Sequence, residues 1–228
     1  MDKKIKIHGA MRSGTNFLEF MLKNNFSINV CVNEFTWKHF EVDINIPVNF
    51  FILTYKNVYS WLKSMHKFAL TTNFFPVFEK NFSDFIRSKI IFKETYGLET
   101  NYFEYDNPIV WWNNYHEKNL KYYKDIIFIN YENFILSPIN HLRKISLIIG
   151  EELKKTFTYP ESEVLPHNVE ILPKSEIFKY SKYFFYKNKK YLDSFSFDDF
   201  TFVKKNLNYS IYKELEKLKI CNQNIKIL

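Results

Sequence analysis

The chain has 228 residues and a mass of 27.8 kDa, with 46% hydrophobic residues and a formal charge of +7 from 32 basic and 25 acidic side chains. That length fits one large domain, and the apolar content excludes a mainly disordered chain. No run of about 18 uncharged apolar residues occurs, which speaks against a membrane span, and the only cysteines, Cys31 and Cys221, sit in neither a zinc-ligand nor a disulfide-framework spacing.

The opening Met1–Lys6 lacks the apolar core of a secretory signal, so a cytoplasmic location is the expectation. The positive balance favours anionic partners. The abundance of Lys, Asn, Ile, Phe and Tyr, which AT-rich coding also produces, accounts for the charge equally well.

In chain order, Ile5–His8 reads as a short strand that runs into Gly9-Ala10-Met11-Arg12-Ser13-Gly14-Thr15, after which Phe17, Leu18, Met21 and Leu22 recur at helical spacing. Extended pieces are expected near 28–32 and 34–40, and a buried strand at Val48–Thr54. The helix that follows carries the apolar stripe Val58, Trp61, Leu62, Met65 and Ala69. The aromatic stretch of about 68–107 reads as a lid or insertion with one helix near Ser83–Lys93.

A helix is expected over Ile109–Tyr123 and a strand over Asp125–Asn130, with Tyr131-Glu132 at its end. Ser137, Pro138 and Gly150 bracket a further helix as cap, first-turn proline and stop. Two or three surface helices are expected beyond Pro173. Strands alternating with helices indicate an α/β fold, one domain over 1–228, with three layers: a central parallel sheet and helices on both faces. Ligands in such folds bind beyond the carboxyl ends of the strands.

Two of the chain's four glycines, Gly9 and Gly14, lie in the first loop. Glycine there lets the backbone approach an anion, and the helix that starts at Thr15 presents unpaired N–H groups. A Walker A loop requires Lys and Ser/Thr directly after the second glycine. This chain has Thr15-Asn16, with its basic residue, Arg12, ahead of Gly14.

Arg12-Ser13-Gly14-Thr15-Asn16-Phe17-Leu18 in this strand–loop–helix setting resembles the 5′-phosphosulfate loop of sulfotransferases that use 3′-phosphoadenosine 5′-phosphosulfate (PAPS). The family's second motif, an Arg after a strand and a Ser eight residues on, is matched in spacing by Lys56 and Ser64, with Lys in place of Arg and Val58 where Pro is common. Trp111-Trp112, the Tyr131-Glu132-Asn133 region and the Tyr183–Tyr209 stretch also look like this family's.

The resemblance implies a P-loop-like, metal-independent sulfotransferase with PAPS as donor and 3′,5′-bisphosphoadenosine (PAP) as product. Arg12 would stabilise charge during transfer, with Ser13, Gly14, Thr15 and Asn16 holding the 5′-phosphosulfate. Lys56 and Ser64, helped by Lys189 and Lys190, would take the 3′-phosphate. His39 is the candidate base, with Lys38 beside it on the transferring group; Glu34 and Glu41 are alternative bases. A glycan or small-molecule hydroxyl or amine would be the acceptor, with no nucleic-acid partner. The rival readings are a small P-loop nucleotide kinase, with Glu132 as its acidic residue, and a basic aromatic nucleic-acid-binding protein built on the Tyr183–Tyr191 run.

Overall fold

A computed structural model describes residues 3–71, 81–96, 99–160 and 177–220. Four strands, β1 (Lys4–His8), β2 (Asn29–Cys31), β3 (Phe50–Tyr55) and β6 (Ile126–Asn130), form a parallel sheet in the order β2-β1-β3-β6. Ile7 pairs with Ile52, and Ile52 with Ile127, so the three longer strands run in register through the centre. The chain leaves β1 for β2 on one side and then crosses to β3 on the other. The order therefore reverses between β1 and β3, where a crevice opens at the carboxyl ends.

Alternation along the strands divides the core in two. Ile52, Ile127 and Ile129 pack with Leu18, Met21 and Leu22 of α1 (Thr15–Asn25) and with Leu142, Ile145 and Ile149 of α6 (Pro138–Ile149). Leu53, Tyr55 and Phe128 pack with Trp61, Leu62 and Met65 of α2 (Val58–Thr71), with Ile109 and Trp112 of α4 (Pro108–Leu120) and with Leu215 of α9 (Tyr209–Ile220). The protein is thus an α/β fold around a four-stranded parallel sheet.

Several expected elements take another form. The stretch 34–40 is not extended but turns and bends, because its carbonyls are drawn inward, as described below. The helix expected over Ser83–Lys93 ends early: α3 is Phe82–Arg87, Ser88 is an extended cap, and Ile90–Tyr96 (β4) pairs antiparallel with Glu99–Tyr105 (β5). The β-branched Ile90-Ile91 pair favours a strand.

The helix expected over Ile109–Tyr123 is α4, started by Pro108 and capped by Asn107, whose Oδ1 accepts from Ile109 and Val110 N–H. Glu132 does not end a strand. It lies in the first turn of α5 (Tyr131–Leu136), capped by Asn130. Gly150 stops α6 at φ 63° as expected, but Ser137 caps nothing with its side chain and instead accepts from Asn140 Nδ2 at 2.8 Å. After residue 176 come α7 (Ile177–Lys187), a 3₁₀ turn (Lys190–Ser194), α8 (Phe197–Asn206) and α9. The last of these is no mere surface helix, since Tyr55 Oη donates to Leu215 O at 2.8 Å in the core. Among the described residues no helix is long and apolar enough to cross a membrane.

Candidate functional site

The loop after β1 is shaped by its glycines. A Cβ on Gly9 would lie 2.4 Å from Ser13 Oγ and 2.6 Å from Thr54 O, so only glycine lets the loop lie flat against β3. Ser13 N–H donates to Ala10 O at 3.0 Å, closing a turn in which Arg12 takes φ 64°. That left-handed residue swings its guanidinium outward, 5.3 Å from the Phe68 ring centre, and sends Ser13 inward, fully buried.

Gly14 follows at φ 96° as the cap of α1, with no side-chain cap and no acidic residue in the first turn. Its missing Cβ would stand 2.1 Å from Cδ2 of Tyr131, whose ring lies against the loop. The first N–H groups of α1 have no intrahelical acceptor and form a positive dipole end.

On the neighbouring strand β3 the chain turns through Lys56 into α2. Lys56 Nζ donates to Ser64 Oγ at 3.3 Å and sits 4.6 Å from the Tyr131 ring centre. Glu132 organises this turn: Oε1 accepts from Asn57 N–H at 3.1 Å and from the Ser60 hydroxyl, while Oε2 accepts from Asn130 Nδ2 at 2.9 Å. The first two bonds brace the start of α2, and the third ties Glu132 to Asn130, the cap of α5.

The third contributor is the segment after β2. Gly9 N–H donates to Lys38 O at 3.0 Å, and Gly9 O accepts from His39 Nδ1 at 2.6 Å. A carbonyl accepts only, so Nδ1 carries the proton and Nε2 keeps its lone pair. Burial, reinforced by the charges of Lys38, His8 and Arg12 and opposed by the Gly9 bond, pulls the His39 pKa down to about 3. The imidazole is therefore neutral at pH 7. The Lys38 ammonium is bonded to Asn16 Oδ1, and burial lowers its pKa too.

These three elements border one cleft of about 670 Å³ at the crevice between β1 and β3. Arg12, Gly14, Thr15, Asn16, Lys38, His39, Lys56 and Ser64, all singled out from the sequence, line it together. Ser13 does not, because the turn buries its side chain. Lys189 and Lys190 are not among the lining residues either. Lys189 is exposed at φ 51° where the 3₁₀ turn begins, and Lys190 pairs with Asp193 at 3.4 Å. Lys182 and Tyr186 of α7, seven and three positions before Lys189, face the cleft instead.

Lys63, Lys67 and Tyr131 line the cleft as well, beyond the residues expected there from the sequence. The signal for Lys63 and Lys67 was their spacing, seven and eleven positions beyond Lys56 on the face that carries Ser64. Among the described residues, Arg12, Lys38, Lys56, Lys63, Lys67 and Lys182 bring six cations to the lining, and none of those lining residues is Asp or Glu. On its other side His39 borders a small cavity of about 50 Å³, walled by Trp37, Trp111 and Tyr115 with Asn114.

Compared with known proteins, the chain matches no family model, no curated protein and no solved structure.

Proposed function

We propose that the chain is a sulfotransferase with a three-layer, P-loop-like fold, moving a sulfuryl group from PAPS to a hydroxyl or amine. The observation that carries the reading is the cleft itself. A helix N-terminus with Arg12, and the Lys56/Ser64 pair, border the same space from adjacent strands, and among the described residues its lining carries six cations and no carboxylate. A donor with phosphates at both its 5′ and 3′ positions needs two separate anion sites of this kind.

In this reading Arg12 and the N–H groups at the start of α1 take the 5′-phosphosulfate, and Lys56 with Ser64 takes the 3′-phosphate. The acceptor approaches through the small aromatic cavity, so that His39 faces both reactants. Burial keeps His39 neutral but also weakly basic, and the negative charge of the donor bound beside it would favour the protonated ring, so that Nε2 takes the acceptor's proton as the acceptor oxygen or nitrogen bonds to sulfur. The bond from sulfur to the bridging oxygen breaks, and PAP leaves with that electron pair. Arg12 and Lys38 stabilise the charge that gathers on the leaving phosphate.

Two observations argue against the rival readings. Glu132 is committed to bracing α2, and in the aromatic run 183–191 Tyr186 packs edge-on against Tyr131 and Tyr191 is buried, so these two rings form no open stacking platform.

Titration calorimetry with PAP in EDTA tests the proposal. PAP is expected to bind without magnesium, and Arg12→Ala to weaken it at least tenfold, since a charge-assisted phosphate contact is worth about 1.5–3 kcal/mol. A strict magnesium requirement, or tighter binding of ATP than of PAP, would overturn it.

A further inference from the structure

Three backbone carbonyls converge on one buried ammonium. Lys6, in the middle of β1, is fully buried, and its Nζ donates to Val32 O at 2.7 Å, Glu34 O at 2.7 Å and Thr36 O at 2.6 Å. An ammonium has three protons, and each of these has an acceptor. On a regular strand, carbonyls two residues apart are separated by about 6.6 Å. Here the chain coils so that all three meet one point.

Phe35, between two of these carbonyls, takes φ 69°, a left-handed conformation that is costly for a phenylalanine. Its side chain is 50% exposed, so its own packing does not demand that geometry. The groups around the ammonium are Cys31, Glu34 and Lys38, and burial brings the Lys6 pKa down to about 8, so it is still charged at neutral pH.

The coil leads directly into Lys38 and His39, which are latched to Gly9 by the two bonds described above. The segment is thus held at two points, Lys6 and Gly9, three positions apart along β1 and its loop. We propose that Lys6 is a positioning residue, a built-in cation that winds residues 32–36 and thereby sets Lys38 and His39 against the Gly9 loop. Its effect on turnover rests on His39 being the base; its effect on the His39 ring does not.

The test compares the parent with Lys6→Met, which keeps the stem but removes the donors, and with Lys6→Ala, with and without n-propylammonium, which replaces the deleted stem and charge. Long-range ¹H–¹⁵N correlation reads the His39 tautomer, and turnover with PAPS is measured alongside. In the parent, His39 is expected as a single Nδ1–H tautomer. Both variants are expected to average the tautomers and to lose turnover on the order of 10²-fold, the scale of a small misplacement of a catalytic group. Propylammonium, but neither n-propanol nor sodium at equal ionic strength, is expected to restore the Lys6→Ala signal.

An unchanged His39 tautomer in either variant, or rescue by propanol as good as by propylammonium, would overturn the proposal. Should both Lys6 variants fail to fold, Phe35→Pro decides, since proline forbids the left-handed coil while leaving Lys6 in place. Loss of the His39 signature then supports the proposal, and its retention overturns it. A parent whose His39 depends on Lys6 but transfers no sulfuryl group would leave the positioning role standing and remove the sulfotransferase reading.

Discussion

Lys56 Nζ and Ser64 Oγ, eight residues apart in sequence, lie 3.3 Å from each other across the first turns of α2, with the ammonium over the Tyr131 ring. A helix turns by about 100° per residue, so the first-turn backbone has to bend Lys56 back over the helix for the two to meet. Asn57 makes that bend: its Oδ1 accepts from Tyr59 N–H at 3.0 Å while its own N–H is held by Glu132.

If this pair grips a 3′-phosphate, Ser64→Ala and Lys56→Ala should each weaken PAP while leaving AMP, which lacks that phosphate, almost unchanged. The Ser64→Ala loss is expected at about 1–3 kcal/mol, one hydrogen bond to a charged group. Calorimetry with both nucleotides checks this, and equal losses for the two would move the 3′-phosphate site elsewhere, with Lys182 as the next cation to test.

Gly14 is held by two constraints that a substitution separates. Alanine there meets the left-handed backbone, at a cost of about 1–3 kcal/mol, and also the Tyr131 ring, 2.1 Å from the new Cβ. Gly14→Ala is expected to be strongly destabilising in the parent and less so in a Tyr131→Ala background, with a coupling of about 0.5–3 kcal/mol. Urea unfolding of the four proteins measures it. Additive losses would show that the ring yields without cost.

The two motifs were legible because each is local. Gly9, Gly14 and the start of α1 follow from a few adjacent residues, and the Lys56/Ser64 pairing is what the resemblance implies, with helical periodicity placing Ser64 opposite the apolar stripe. That both belong to one cleft depends on strand order, which pairs β1 with β3 although β2 intervenes in sequence.

What was not legible was long-range or directional. Lys6 reads as the polar position of an alternating strand, and nothing local reveals that three carbonyls from 32–36 close over it, so that stretch looks extended. Ser13 and Arg12 are neighbours in a loop, and only the φ of Arg12 decides which one faces the cleft. In the basic run after Tyr183, composition favours Lys189 and Lys190, whereas the placement of α7 presents Lys182.

His39→Gln keeps a side chain that can donate to Gly9 O but has no basic nitrogen. Turnover is expected to fall by about 10²–10⁴-fold, the range for losing a general base, with PAP affinity changed little. Glu41, bonded to Lys121 and 4.0 Å from Lys118, is the comparison. Abolition of turnover by Glu41→Gln with a mild effect of His39→Gln would reassign the base.

Two further histidines make the protein sensitive to acid. His8 and His116 are 0% and 1% exposed. Burial, with the Lys6 charge adding to it, brings His8 to a pKa of about 4, and burial alone brings His116 to about 3. Both values lie below the unfolded reference of about 6.5, so between that pH and their native pKa values the unfolded chain binds more protons than the folded one. Stability contributed by the neutral rings is present above about pH 6.5 and is lost as the pH falls toward 4, at up to about 1.4 kcal/mol per pH unit for each ring.

His116 lies 4.4 Å centre-to-centre from Trp112, and neither ring nitrogen has a hydrogen-bond partner among the described residues. His116→Leu is therefore expected to hold or raise stability at pH 7, because it removes unsatisfied buried polar atoms. It should also flatten the decline between pH 6 and 4 by about one proton's worth of slope. Chemical denaturation at pH 7, 6, 5 and 4 distinguishes the outcomes. A variant that loses stability at pH 7 and keeps the parent's slope would mean that His116 has a partner that bonds it and that its ring does not take up the proton.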